Sequence, residues 1–282
     1  MWLWLSVSTA LSWALGSVLL KPAYKKLSIA QVYALNGLSF FLLWIFYAIL
    51  TSAPILIPKN FFLILPILSP LAFITFIFAI KEGKVSIVSA LSSTSPLVST
   101  TLAIIFLDEK ITRLQAVCTF MIVVSLVLLG LIEKGVKRDN NMKGFGWGLA
   151  TALGFGTANA GSKLVLNRLG VVSFSLINGT WMLILSFLWL AAKNQLKSES
   201  WSVLESEEGK RGIIGSIIYS LGGFFLFLAL QRSLVSLVIP VTTLATPFTM
   251  ILAAIFLKEK MKPAQRLLIG LIFLTTACFS ML

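Results

Sequence analysis

Residues 99–110 read STTLAIIFLDEK, and residues 249–260 read TMILAAIFLKEK. The two stretches lie 150 positions apart and pair Leu102-Ala103 with Leu252-Ala253, Ile105-Phe106-Leu107 with Ile255-Phe256-Leu257, and Glu109-Lys110 with Glu259-Lys260. The same offset pairs Ala79 with Ala229, Val85-Ser86 with Val235-Ser236, Val88 with Val238 and Gln115 with Gln265. Apolar matches alone would count for little, but the density of agreement, charged and amide pairs included, marks an internal duplication. Earlier in each half the register is 142, joining Lys21 to Lys163 and Asn36-Gly37 to Asn178-Gly179, so eight extra residues fall in the second half's long loop.

Around these repeats the chain is 58% hydrophobic and 12% charged, with a mean hydropathy of +0.97. Ordinary soluble domains run at roughly 45–50% apolar and about 25% charged, so one aqueous core cannot hide this surface and lipid is the expected solvent. A spanning helix needs about 20 mostly apolar residues, because its backbone polar groups have no water to turn to. Ten stretches meet that requirement: Trp2 to Leu20, Ile29 to Leu50, Phe61 to Ile80, Val85 to Leu107, Leu114 to Ile132, Phe145 to Leu164, Val171 to Ala192, Gly212 to Leu230, Val235 to Leu257 and Pro263 to Leu282. The first is preceded by no Lys or Arg and is too long for the apolar part of a cleaved signal, so it reads as a span.

The polar segment from Glu133 to Lys143 is the natural midpoint, giving repeats at 1–138 and 139–282. Lys193 to Arg211 mixes four basic with four acidic residues and reads as a mobile surface loop. Five spans per repeat is an odd number, so the second copy enters the membrane upside down. The expected fold is therefore an all-α integral membrane protein with ten transmembrane helices in two inverted five-helix repeats. That arrangement recurs in secondary transporters, where the site lies near the midplane between the repeats and access alternates.

The segments from Ala79 through Pro96 to Phe106-Leu107-Asp108-Glu109-Lys110 and Gln115, and from Ala229 through Val235-Ser236-Leu237-Val238 and Thr246-Pro247 to Glu259-Lys260 and Gln265, resemble the ten-helix EamA-type members of the drug/metabolite transporter superfamily. The resemblance covers nearly the whole chain as two five-helix units. It implies export or exchange of small metabolites such as amino acids, nucleotide derivatives or drugs, through a central cavity lined by the first, third, fourth, sixth, eighth and ninth helices. It also implies cytoplasmic termini. The charge distribution points the other way: loops after the odd-numbered spans hold 17 of the 23 Lys and Arg residues, and cytoplasmic loops are the ones enriched in such cations. Orientation is thus left open, with the cell or inner membrane as the expected location.

Polar residues inside a span are costly against lipid and tend to face a cavity or another helix. The fourth span carries Ser86, Ser89, Ser92, Ser93, Thr94, Ser95, Ser99, Thr100 and Thr101 around Pro96, and its repeat mate carries Thr242, Thr243, Thr246 and Thr249 beside Pro240 and Pro247. Proline frees a carbonyl and bends a helix, so Pro96, Pro240 and Pro247 are expected kinks beside a solute site. The plainer alternative is that the hydroxyls bond back to their own helix. Ser8, Thr9, Ser12 and Trp13 form a polar and aromatic group in the first span, and Thr157, Asn159 and Ser162 another in the sixth. From these, the expected solute-binding set is Ser8, Ser12, Trp13, Ser92, Ser93, Thr94, Ser95, Asn159, Tyr219, Thr242, Thr243 and Thr246, with Ser220 a weaker candidate. Lys21 and Lys163 end matched helices and are expected either to attract an anionic group at the cavity mouth or to snorkel to the interface.

Absences narrow the chemistry. The chain has no histidine, and its ten acidic residues fall in breaks or at helix ends, leaving no mid-membrane carboxylate for proton coupling and no general base for an intramembrane enzyme. Glu109 and Glu259 are expected at helix starts or the interface. Cys118 and Cys278 read as small core residues with no metal spacing. Gly144-Phe145-Gly146-Trp147-Gly148 follows no strand and lacks the GxxxxGK[ST] pattern, so no nucleotide cofactor is expected; the glycines read as close packing. The net charge of +13 sits in loops without interleaved aromatics, which argues against nucleic acid. The expected partners are the lipid bilayer and a small-molecule solute, with a homodimer compatible as an assembly. The competing function is a membrane scaffold that presents lipid-linked molecules without transporting them.

Overall fold

The computed structural model describes residues 1–82, 91–132, 142–256, 258 and 260–281, with side chains undescribed at 77–82, 142–145 and 198. Expectations that fall on Val85, Ser86, Val88, Ser89 and Glu259 lie outside this set, as do those on the Glu82 side chain and on residues 133–141 of the midpoint segment. Among the described residues the secondary structure is helical: α1 (Trp2–Ala23), α2 (Ile29–Thr51), α3 (Leu68–Glu82), α4 (Ser95–Leu107) and α5 (Arg113–Ile132) come first. The helical run Met142–Ala192 is broken at Gly170 (φ 76°, ψ 166°) into α6 (142–169) and α7 (171–192). Then follow α8 (Glu207–Arg232), α9 (Val235–Thr242), α10 (Ala245–Phe256) and α11 (Pro263–Ser280).

Seven described helical stretches are long and apolar enough to cross a bilayer, the 47-residue one containing Gly170, and shorter apolar helices lie at Phe61–Phe76 and Ser95–Leu107. Large hydrophobic side chains, among them Phe46, Ile105, Phe256 and Leu267, stand exposed on the outer surface, as in a protein whose solvent is hydrocarbon.

Glycine spacing sets the packing. A Cβ on Gly212 would meet Ala23 and Leu27, one on Gly215 would meet Leu19 and Leu20, one on Gly222 would meet the Trp13 ring, and one on Gly16 would meet the Tyr219 backbone. Residue numbers rise on one helix as they fall on the other, so α1 and α8 lie antiparallel along their length, their backbones drawn together by small residues. Likewise Gly154 meets Ala72 and Gly161 meets Leu65 and Leu68, which sets α6 antiparallel to α3 and the preceding turns. Gly37 faces Met182 and Gly179 faces Phe41, pairing α2 with α7. Lys262 Nζ donates to the Ile132 carbonyl, joining the start of α11 to the end of α5.

The pairing is reciprocal. The helix that opens the first half packs on the third span of the second half, and the opener of the second half packs on the third span of the first. Met1 lies beside Arg232 at the end of α8, and Lys163 near the end of α6 reaches Leu230 on the same helix. α1 therefore starts on the face where α6 finishes. We call that face, which holds Met1, proximal and the other distal.

Three sequence expectations are corrected by the structure. The fourth and ninth spans are not single kinked helices: turns at residues 93–94 and 243–244 start fresh helices, with Pro96 in the first turn of α4 and Pro247 in that of α10, where a missing N–H leaves no bond unmade. Pro240 alone of the three lies inside a helix, α9. The segment Lys193 to Arg211 is built rather than free, because Ser198–Glu205 forms a 3₁₀ helix, Ser28 Oγ donates to Gln195, Gln31 donates to the Ser200 carbonyl, and Lys26 pairs with Glu208 at 3.0 Å. Cys278 is exposed on α11, unlike buried Cys118.

Candidate functional site

The centre of the bundle holds a cavity of about 340 Å³. Its wall comes from both halves: Trp13 of α1, Asn36 and Phe40 of α2, Phe73 of α3, Phe155 and Asn159 of α6, Asn178 and Met182 of α7, Tyr219, Ser220, Gly223, Leu226 and Phe227 of α8, and Ile239, Thr242, Thr243, Ala245 and Thr246 across the α9–α10 turn. Of the residues picked out from sequence, Trp13, Ser92, Ser93, Ser95, Asn159, Tyr219, Thr242, Thr243 and Thr246 line it. Ser8, Ser12 and Thr94 are not part of the lining. Ser12 precedes Trp13 by one residue and Ser8 by five, offsets of about 100° and 140° around a helix, so neither shares the face that Trp13 turns inward. Thr94 sits in the turn before α4 and donates to the Leu91 carbonyl.

Rings form a continuous side of the cavity. Trp13 stacks on Tyr219 at 6.2 Å between centroids, Tyr219 tilts against Phe73 at 6.0 Å, and Phe73 stacks on Tyr33 at 5.6 Å. Such offset and tilted contacts match the ring quadrupoles. Polar atoms are tied down elsewhere. Asn36 Nδ2 donates to the Val32 carbonyl and Asn178 Nδ2 to the Pro66 carbonyl. Ser220 Oγ donates to the Asn36 carbonyl, Thr242 Oγ1 to the Ile239 carbonyl and Thr243 Oγ1 to the Pro240 carbonyl.

From the cavity toward the proximal face lies a buried clasp. α4 closes with Asp108 in the left-handed region (φ 53°), and the Glu109 N–H donates back to the Ala103 carbonyl. This turn directs the Glu109 carboxylate across the bundle to the first turn of α9. There it accepts from the Val235 N–H at 2.8 Å, the Ser236 N–H at 2.9 Å and the Ser236 hydroxyl at 2.6 Å. Glu109 is 6% exposed, and three charge-assisted donors at a helix N-terminus are what makes such burial tolerable. Lys163, 8% exposed, donates its ammonium to the Leu230 carbonyl at the end of α8, favourable against that helix's negative pole. Lys163 follows Asn159 by four residues and Val235 precedes Ile239 by four, so the clasp lies about 6 Å, one helical turn, below the lining. Lys21 is exposed near the distal end of α1.

Sequence reasoning passed over Asn36 and Asn178 as site residues, although it used them to set the repeat register. The buried-amide argument applied to Asn159 reaches both, since each lies within an apolar span.

The profile of the EamA-like transporter family matches residues 1–131 and again 142–281. The chain belongs to the EamA-like transporter family. It is a multi-pass membrane transporter of the drug/metabolite transporter superfamily, built as two repeats. Twenty-nine solved chains resemble it in fold. One, described only as the crystal structure of a protein, is 13% identical, has a TM-score of 0.83, and is matched over 99% of this chain and 96% of its own. No curated protein matches in sequence.

Proposed function

We propose that this EamA-like chain is a secondary carrier that moves a small metabolite by alternating access, for export or exchange, across the cell or inner membrane. Ten crossings account for the described helices: the seven long apolar stretches, one of them divided at Gly170, plus the two shorter apolar helices. The units 1–138 and 139–282 are then inverted copies, in keeping with the opposed directions of α1 and α6.

The observation that carries the reading is the Glu109 clasp. It joins residue 109 of one half to residues 235 and 236 of the other, about one helical turn beyond a central cavity built by both. A contact of this kind has two states, made and broken, and a carrier must break it for solute to leave by the proximal face. Trp13, Ser92, Ser93, Ser95, Asn159, Tyr219, Thr242, Thr243 and Thr246 take the solute in this reading.

The test screens detergent-solubilised protein against amino acids, nucleosides, sugars and phosphorylated metabolites by thermal shift, then measures counterflow of each stabilising solute in proteoliposomes. Wild type is expected to exchange at least one of them. Glu109→Gln, which keeps shape but loses the charge at the α9 N-terminus, is expected to bind the same solute and exchange it about 10-fold more slowly or worse, in line with about 1.5–3 kcal/mol for a charged hydrogen bond. Absence of counterflow for every solute that stabilises the wild type sinks the carrier reading.

A further inference from the structure

We propose that the cavity selects an uncharged solute with a flat apolar body that donates hydrogen bonds. The inference rests on the carrier reading for its context and on the lining for its content.

Size comes first. A volume of about 340 Å³ lies at the small end of the range of about 300–1,000 Å³ typical of sites for drug-sized ligands, which suits a small metabolite. Charge comes next. No Asp, Glu, Lys or Arg lines the cavity among the described residues. Glu109 and Lys163, both buried, are each committed to a helix end and are not among the lining residues. An ion entering such a chamber would leave its hydration shell without a counter-charge, and burying an unpaired ion is far costlier than burying a neutral polar group.

Hydrogen-bond polarity is the third and most specific observation. Asn36, Asn178, Ser220, Thr242 and Thr243 each spend a donor on a protein carbonyl. Their oxygens remain to accept, the second Nδ2 hydrogen of each amide remains to donate, and the Ser92 hydroxyl of the lining is also without a partner. Asn36 is 2% exposed and its Oδ1 has no partner, a buried acceptor left unsatisfied. A buried acceptor without a donor is unfavourable, so a solute N–H or O–H that reaches it recovers what the empty site forgoes. The ring wall of Trp13, Tyr219 and Phe73 completes the match, since a flat solute stacks on it. Metabolites that are anionic, nucleotides included, are thereby disfavoured despite the basic loops.

The charge rule is tested without knowing the solute. In a background of Cys118→Ser and Cys278→Ser, a single thiol is placed in the lining by Asn159→Cys, and separately by Ser95→Cys. A reference thiol is placed in the surface loop by Ser202→Cys. Each is reacted with a neutral benzyl methanethiosulfonate, its anionic sulfonatoethyl analogue and its cationic trimethylammonium analogue. Relative to the reference, the neutral reagent is expected to react at least 10-fold faster than either ion at both lining positions. Equal or faster reaction of an ion at both positions overturns the proposal. The donor requirement is tested by thermal shift with indole against N-methylindole on the wild type. Indole is expected to give the larger shift; equal shifts, zero included, overturn that part. Neither readout depends on transport, so a cavity that excludes ions in a protein that fails to counterflow would remove the carrier reading and leave this one standing.

Discussion

At the scale of single residues, Glu109 and Gly222 carry the sharpest consequences. Glu109 occupies a place that sequence logic half anticipated: it does sit at a helix start, but of α9, 126 residues away, rather than beside its own helix. Chain position cannot reveal a cap supplied from across the bundle. The only sequence signal was the repeat itself, since Glu109 and the Val235-Ser236 dipeptide both belong to matched pairs. Gly222 holds the cavity shape instead. A Cβ there would lie 2.3 Å from Trp13 Cδ1 and 2.6 Å from Nε1, contacts no ring can tolerate in place. Gly222→Ala is expected to displace the indole from Tyr219 and weaken solute binding about 10-fold, or about 1.4 kcal/mol, as read by isothermal titration with the solute from the screen. Unchanged affinity would show that Trp13 does not shape the site. Asn159, singled out from sequence because an amide is poorly housed in hydrocarbon, does line the cavity, whereas Ser8 and Ser12 do not. The difference is one of facing: hydroxyl clusters can be read from a sequence, but the side of a nearly all-apolar helix that turns inward cannot.

Among the elements, the turn at Gly170 is the one whose chemistry is forced. Its φ of 76° with ψ of 166° lies in a region essentially restricted to glycine, and nothing lies within 4 Å of a Cβ placed there. The penalty for a side chain is thus conformational and not steric. Gly170→Ala is expected to lower stability by about 1–3 kcal/mol, seen as a lower melting temperature in detergent. Gly270→Ala on α11 is the matched control, also with open space around it but at a helical position, and is expected to be neutral or slightly stabilising. Equal melting temperatures for the two variants would mean that the turn adapts without strain. The sequence placed a boundary between Leu164 and Val171 but not the sharpness of the reversal, because hydropathy marks where a helix leaves the membrane and not how the chain turns. In the same way, hydropathy merged the α9 and α10 helices into one span.

For the molecule as a whole, the helix directions make a topological prediction. Met1 lies beside Arg232 on the proximal face, and α11 leaves Ile132 on the distal face to bring Phe279 back into a cluster that Trp2 and Leu3 also pack against. Both termini are expected on one side of the membrane and the loop around Lys197 on the other. Fusion reporters at each terminus and an accessible tag after Lys197 check this; termini on opposite sides would refute the ten-crossing arrangement. The same maps decide orientation, where the basic distal loops and the family resemblance disagree. Duplication was legible because charged and amide pairs survive in both halves at one spacing. What the sequence withheld is how the halves interlock, with α1 on α8 and α3 on α6, since that depends on which glycines face a partner.

Because a single residue joins α6 to α7, the two helices share no slack. Asn159 stands eleven residues before that joint and Asn178 eight after it, one amide on each arm. Any rearrangement that tilts one arm against the other has to pivot at that joint, because no other residue lies between the helices.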